Sequence, residues 1–137
     1  MKKTLIYLCS FFIFYIPQIF AEIIEVDNAK LAILVKNGTP LVDIRTEKEW
    51  YRTGIIKGSK TLTFFDENGH FDIKVWMKEL KKIAGGNDPL IIICRSGRRS
   101  RIVANYLNLQ VGYKKVFHAT NGIISWKESN YKTIPPK

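Results

Sequence analysis

The chain has 137 residues, 46% of them hydrophobic and 25% charged, a length that suits one domain and a balance that excludes a disordered polymer. Lys and Arg number 22 against 12 acidic residues, a formal charge of +10, which points to anionic partners such as nucleic acid, a membrane surface or small anions. Two cysteines, one of them inside an N-terminal apolar run, exclude a scaffold stapled by disulfides.

That first run reads as a leader. Lys2 and Lys3 precede an apolar stretch from Leu5 to Phe20, and Ala21 stands as a small residue before Glu22. A positive start, an apolar middle and a small residue at the cut are the layout of a secretory signal peptide. Residues 1–21 are therefore expected to be removed on export, leaving a mature domain over 22–137 with no stable membrane insertion, periplasmic if the source is a Gram-negative bacterium. Ile19 departs from the small residue preferred two positions before the cut. Because the run is only slightly shorter than the ~20 residues that span a bilayer, an uncleaved anchor is the alternative. Cys9 lies in the leader behind bulky Leu8 and is read as leader filling. Cys94 is then alone in the mature chain, either as buried filler or as a reactive thiol.

Beyond the leader, short β-rich runs alternate with segments of helical period, which predicts an α/β fold built on a central, mostly parallel sheet of about five strands with helices on both faces. Ile23 to Val26 reads as a strand. Asp27 or Asn28 caps a helix whose Leu31, Leu34 and Val35 share a face and which stops at Asn37-Gly38. Leu41 to Ile44 is the second strand, and Thr46 with Glu49 has capping-box spacing for a short helix. Thr61 to Phe64 is a weaker strand, Asn68-Gly69 a turn. Asp72 to Ala84 repeats apolar residues at Ile73, Val75, Trp76, Leu80 and Ile83 before Gly85-Gly86. Leu90-Ile91-Ile92-Ile93 carries no charge, as expected at the centre of a parallel sheet. After it comes the loop Cys94-Arg95-Ser96-Gly97-Arg98-Arg99, then a helix from Ser100 bearing Ile102, Val103, Tyr106 and Leu107. Lys115 to Phe117 is a last strand, Ile123 to Glu128 a short helix, and Pro135-Pro136 ends the fold.

The loop after the central strand holds the chemistry. Open α/β sheets place ligands at the carboxyl ends of their strands, and successive N–H groups of such a turn, with the positive end of the next helix, form an anion-binding concavity. Gly97 suits the tight curl because it has no Cβ to clash at positive φ. The lysines are scattered along the chain, whereas Arg95, Arg98, Arg99 and Arg101 cluster beside Cys94. Amides and guanidinium groups together favour the thiolate over the thiol. A buried strand-end cysteine is the bland reading, but an apolar pocket does not tolerate so many fixed charges close by. A nucleic-acid patch is the bland reading of the arginines, and no aromatic interleaves them to stack on bases.

These residues together resemble a rhodanese domain. The CRSGRR loop from Cys94 to Arg99 is similar to the active-site loop of small sulfurtransferases. Leu41-Val42-Asp43-Ile44-Arg45, Glu49-Trp50 and Gly54-Ile55-Ile56-Lys57-Gly58-Ser59 resemble the first signature of that family, and Val116 to Trp126 its second. Ile55 and Lys57 stand where the family has His and Pro, and Ala119 and Asn121 where it has Leu and Gly. The resemblance implies a sulfurtransferase in which Cys94 attacks an anionic sulfur donor such as thiosulfate, carries a persulfide and passes the sulfur to a thiol or cyanide. Arg95, Ser96, Gly97, Arg98, Arg99 and Ser100 would bind the donor or hold the negative charge. Asp43, Arg45 and Glu49 would form a structural polar network at a strand end. No cofactor, metal or nucleic-acid partner is implied, and oligomeric state is left open. His70 and His118 fit no metal-ligand spacing and are expected on the surface or in loops.

Two rivals stand beside this reading. A phosphatase or arsenate reductase of related fold would use a C-x5-R loop, and here the arginine position is Ser100. A non-catalytic binding module of the same fold would commonly have lost the cysteine, which this chain keeps.

Overall fold

The computed structural model describes residues 22–137, so the expected leader lies outside the described residues. In chain order the elements are β1 (Ile24–Val26), α1 (Asn28–Lys36), β2 (Leu41–Asp43), α2 (Glu47–Thr53), β3 (Lys60–Thr61), α3 (Ile73–Ile83), β4 (Leu90–Ile93), α4 (Arg98–Tyr106), β5 (Val116–Ala119) and α5 (Gly122–Glu128). A π-helical turn over Leu107–Val111 extends α4. Among the described residues no helix is long and apolar enough to cross a membrane.

The five strands form one sheet in the order β1-β5-β4-β2-β3, every pair parallel. All four residues of β4 are fully buried at its centre, because a parallel strand covered by helices on both faces has no wet side. Its side chains alternate between two cores. Leu90 and Ile92 join Val42, Ile44, Leu80, Val103 and Leu107 on the face covered by α3 and α4. Ile91 and Ile93 join Leu41, Leu31, Phe117, Ile123 and Trp126 under α1 and α5.

Side-chain caps set the starts of three helices. Asp27 accepts from Lys30 N at 2.8 Å, Asp72 accepts from Lys74 N and Val75 N at 3.0 Å, and Thr46 with Glu49 closes a capping box, each occupying amide protons that a helix start leaves without partners. α4 differs: its cap is Gly97, left-handed at φ 95°, with no side-chain cap. This bend starts the helix at Arg98, two residues earlier than Ser100.

Three further expectations shift. The third strand is only Lys60–Thr61, although Leu62 N and Phe64 N still bond to the carbonyls of Asp43 and Ile44. The chain thus leaves regular pairing while running along β2, where Phe64 turns its ring against Trp76 at 4.8 Å. Val75 and Ile102 are 60% and 55% exposed, since only part of each apolar pattern faces the sheet.

The two-faced core makes a direct forecast. Ile92→Ala should destabilise the domain by about 2–5 kcal/mol, whereas Val75→Ala should stay within about 0.5 kcal/mol of the parent, as measured by denaturant unfolding.

Candidate functional site

β4 ends at Ile93, and the next residue, Cys94, is buried at the head of the loop leading into α4. Gly97 N donates to Cys94 Sγ at 3.1 Å, and Ser100 Oγ lies 3.3 Å from the same sulfur. Two donors thus converge on one sulfur from a bend and a first helical turn, both geometrically fixed. The side chains of Arg95, Ser96 and Arg98 stand exposed around the opening. With Phe65, Asp66, Glu67, Arg99 and Ile102 they line a depression of about 520 Å³.

The bend is held against the end of β5. A Cβ on Gly97 would lie 1.8 Å from Thr120 O, and one on Gly122 would lie 2.4 Å from Arg95 O. Ile123 N and Ile124 N bond to the carbonyls of Cys94 and Arg95 at 3.0 and 3.2 Å, so the start of α5 clamps the loop from outside. Both glycines have positive φ, and both are places where backbone meets backbone.

The arginines separate into different roles. Arg99 makes a two-pronged pair with the Glu49 carboxylate, Nη1–Oε2 at 2.9 Å and Nη2–Oε1 at 2.6 Å. Its guanidinium is therefore paired toward α2, while the residue also lines the depression beside the loop. Burial alone would push the Glu49 carboxyl up, but the Arg99 hydrogen bonds, the Thr46 N–H and the Arg99 charge outweigh it and hold the carboxyl at about 2. Those Glu49 hydrogen bonds push Arg99 up in turn, against its own burial. Arg101 pairs with Glu25 at 2.5 Å on the far side of the helix and does not enter the depression.

Asp43 and Arg45 form a buried two-pronged pair at the end of β2, Nε–Oδ1 at 2.9 Å and Nη2–Oδ2 at 2.6 Å. The remaining donors of Arg45 reach Thr53 Oγ1, Gly54 O and the Glu49 backbone carbonyl. A buried charge of this kind requires such complete pairing. Glu49 contributes its carbonyl to this network and its carboxylate to Arg99, so α2 links the end of β2 to the loop.

His118 was expected at the surface or in a loop. It lies instead inside β5, 0% exposed, opposite Ile92, with Nε2 2.8 Å from Gly97 O. The reason is positional, since β5 lies between β1 and β4 and both of its faces are covered. Burial pushes the imidazole's ionisation down, with Arg101 adding to this and the Gly97 carbonyl and Glu25 opposing it. The clue in the sequence was that alternation along Val116–Ala119 puts His118 on the same face as Val116, hence in a core. His70 does lie exposed, beside Asp66.

Among the described residues no three His, Cys, Asp or Glu side chains are grouped to hold a metal ion. A wider depression of about 940 Å³ is ringed by Lys36, Lys57, Lys60, Lys82 and Lys132 and does not include the Cys94 loop. The Cys94 thiol, the convergent donors and the clamped bend all lie elsewhere, at the carboxyl rim of the sheet.

A family model for the rhodanese-like domain matches residues 26–129. The chain belongs to the rhodanese-like domain family. An uncharacterized protein, RP600, of Rickettsia prowazekii is 29% identical over 108 residues, which cover 72% of this chain and 85% of that one. Thiosulfate sulfurtransferase 18 of Arabidopsis thaliana is 24% identical over 114 residues, 80% of this chain and 82% of that one. The solution structure of the polysulfide-sulfur transferase homodimer from Wolinella succinogenes matches with a TM-score of 0.65 at 16% identity, covering 86% of this chain and 82% of that one. Membership in the rhodanese-like family supports chemistry of the sulfurtransferase type, and the five parallel strands with flanking helices are the family's fold.

Two outcomes follow from this rhodanese-like site. Gly97→Ala, which adds a Cβ 1.8 Å from a carbonyl oxygen, should cost upward of about 2 kcal/mol in denaturant unfolding. The Glu49–Arg99 pair also sets a pH dependence. The folded Glu49 value of about 2 lies below its ordinary 4.5, so the pair's stabilisation is complete above about 4.5 and is lost as pH falls toward about 2. Glu49→Gln should therefore flatten the stability profile through that window while lowering stability near neutrality.

Proposed function

We propose that this chain moves sulfane sulfur from thiosulfate, or a similar anionic donor, to a thiophilic acceptor through a persulfide on Cys94. The observation that carries the reading is the convergence of Gly97 N–H and Ser100 O–H on the Cys94 sulfur, at the rim where a parallel sheet binds ligands. The relatives' printed activities, on thiosulfate in one case and polysulfide sulfur in the other, agree with it.

In the first step the Cys94 thiolate attacks the outer sulfur of thiosulfate. A new S–S bond forms, the bond from outer sulfur to sulfite breaks, and sulfite leaves with the electron pair. In the second, cyanide or a thiolate attacks the terminal sulfur, and Cys94 departs as the thiolate that began the cycle. Exposed Arg95 and Arg98 draw the donor in, while the loop amides face the persulfide's charge as oxyanion-hole donors do. Arg99 serves by holding the loop to α2 through Glu49. The leader pattern adds an exported, periplasmic setting in a Gram-negative source, which N-terminal sequencing of the secreted protein would test: a chain that still began at Met1 would end that part of the reading.

The deciding experiment is the intact mass of the full-length protein before and after thiosulfate. The parent should gain the mass of one sulfur, lose it to cyanide, and turn over thiosulfate with cyanide, whereas Cys94→Ser should do none of these. Arg95→Ala and Arg98→Ala should each raise the KM for thiosulfate about tenfold or more with a smaller change in kcat, in line with the ~1.5–3 kcal/mol of a charge-assisted hydrogen bond. Hydrolysis of aryl phosphates without sulfur uptake would replace this reading with the phosphatase one.

A further inference from the structure

Three donors point at the carbonyl oxygen of Gly97: Arg101 N at 3.0 Å, Ser100 Oγ at 3.1 Å and His118 Nε2 at 2.8 Å. A carbonyl oxygen has two lone pairs, so one donor too many is in reach. The Arg101 amide is committed by the helix itself. Ser100 has one hydroxyl proton and two acceptors within range, Gly97 O and Cys94 Sγ. The second lone pair of Gly97 is therefore contested between a serine hydroxyl and the imidazole.

The imidazole's side of that contest is decided by its own burial. Nδ1 of His118 is buried with no partner. A hydrogen on Nδ1 would be left unsatisfied there, and a bare Nε2 would face the Gly97 oxygen lone pair against lone pair at 2.8 Å. The hydrogen therefore resides on Nε2 and donates to Gly97.

We infer that His118 is a positioning residue which, by occupying the free lone pair of the Gly97 carbonyl, commits the Ser100 hydroxyl proton to the Cys94 sulfur. The inference deepens the proposed reaction and rests on Cys94 being its nucleophile. His118 bonds to Gly97 O and not to the sulfur; it acts through one carbonyl and one hydroxyl. Arg101 and Glu25 are the charged groups that bear on the ring, and they pair with each other.

The test reads the ultraviolet thiolate absorbance of the full-length protein across pH, as the difference from Cys94→Ser so that Cys9 and the tyrosines cancel. His118→Leu removes the ring donor, Ser100→Ala removes the hydroxyl, and His118→Gln restores an N–H near the position of Nε2. His118→Leu and Ser100→Ala should each displace the thiolate titration upward by roughly tenfold or more in proton affinity, the share of one hydrogen bond to a charged group. The double variant should lose no more than either single one, because both act on the same proton. The glutamine variant should recover most of the parent's behaviour, which a purely packing role would not produce. Should His118→Leu fail to fold, His118→Asn, too short to reach Gly97, must show the same displacement. Additive losses in the double variant, or an unchanged titration in a folded His118→Leu or His118→Asn protein, would overturn the inference. A parent that takes up no sulfur from thiosulfate would sink the proposed reaction instead, and would leave this thiolate comparison readable.

Discussion

Everything around the Cys94 sulfur turns on one peptide unit, that of Gly97. Its N–H faces the Cys94 sulfur, and its carbonyl receives the first amide of the α4 ladder and the buried imidazole of His118. For both ends of a single peptide to meet these partners the chain must take φ 95° with the backbone of Thr120 alongside. An L side chain is excluded there by steric overlap as well as by backbone preference. The sharp start of α4, the burial of the thiol and the convergence of donors are three results of that one constraint.

Around this bend the polar network is arranged in two tiers. The inner tier, Asp43 with Arg45, is sealed within the domain and gives nearly every guanidinium donor an acceptor. Such a pair is weak evidence for stability, because the cost of removing both charges from water offsets most of their attraction. What it fixes is geometry, tying the end of β2 to the end of α2. The outer tier, Glu49 with Arg99, carries that fixed position across to the loop at the level of the solvent. The basic cluster is thus divided by pairing: Arg99 and Arg101 are engaged by carboxylates, while Arg95, Arg98 and Arg99 line the depression beside the loop.

Much of this was legible in the residues alone, and the exceptions share a cause. Strand β4, a helix cap at Asp27 or Asn28, the capping box of Thr46 with Glu49, and the position of Cys94 after a buried strand all follow from local pattern, which acts over a few residues and survives into the fold. The partner of Arg99 did not follow, because Glu49 lies 50 positions away and a charge cluster does not say where its counter-charges sit. His118 was misplaced for a related reason: a histidine reads as polar until the strand beside it is known to be covered on both faces. The early end of β3 and the π turn after α4 reflect tertiary packing, of Phe64 against Trp76 and of Gly112 closing the helix at φ 86°, for which short-range periodicity carries no signal. The family pattern identified the fold family but could not tell which arginines are paired with carboxylates.

The strand order also has a bearing on how the chain comes together. β1 meets only β5, so Ile24, Glu25 and Val26 wait for Phe117, His118 and Ala119 before they have neighbours. Pairings of such long sequence separation close late and slowly. Until the last sixth or so of the polypeptide, from Val116 on, is in place, the cysteine lacks the carbonyl of Thr120 behind its bend and the amides of Ile123 and Ile124 over its loop. The backbone groups that enclose the Cys94 sulfur are therefore brought together only at the final stage of assembly, and a chain still lacking its C-terminal segment holds that sulfur without them.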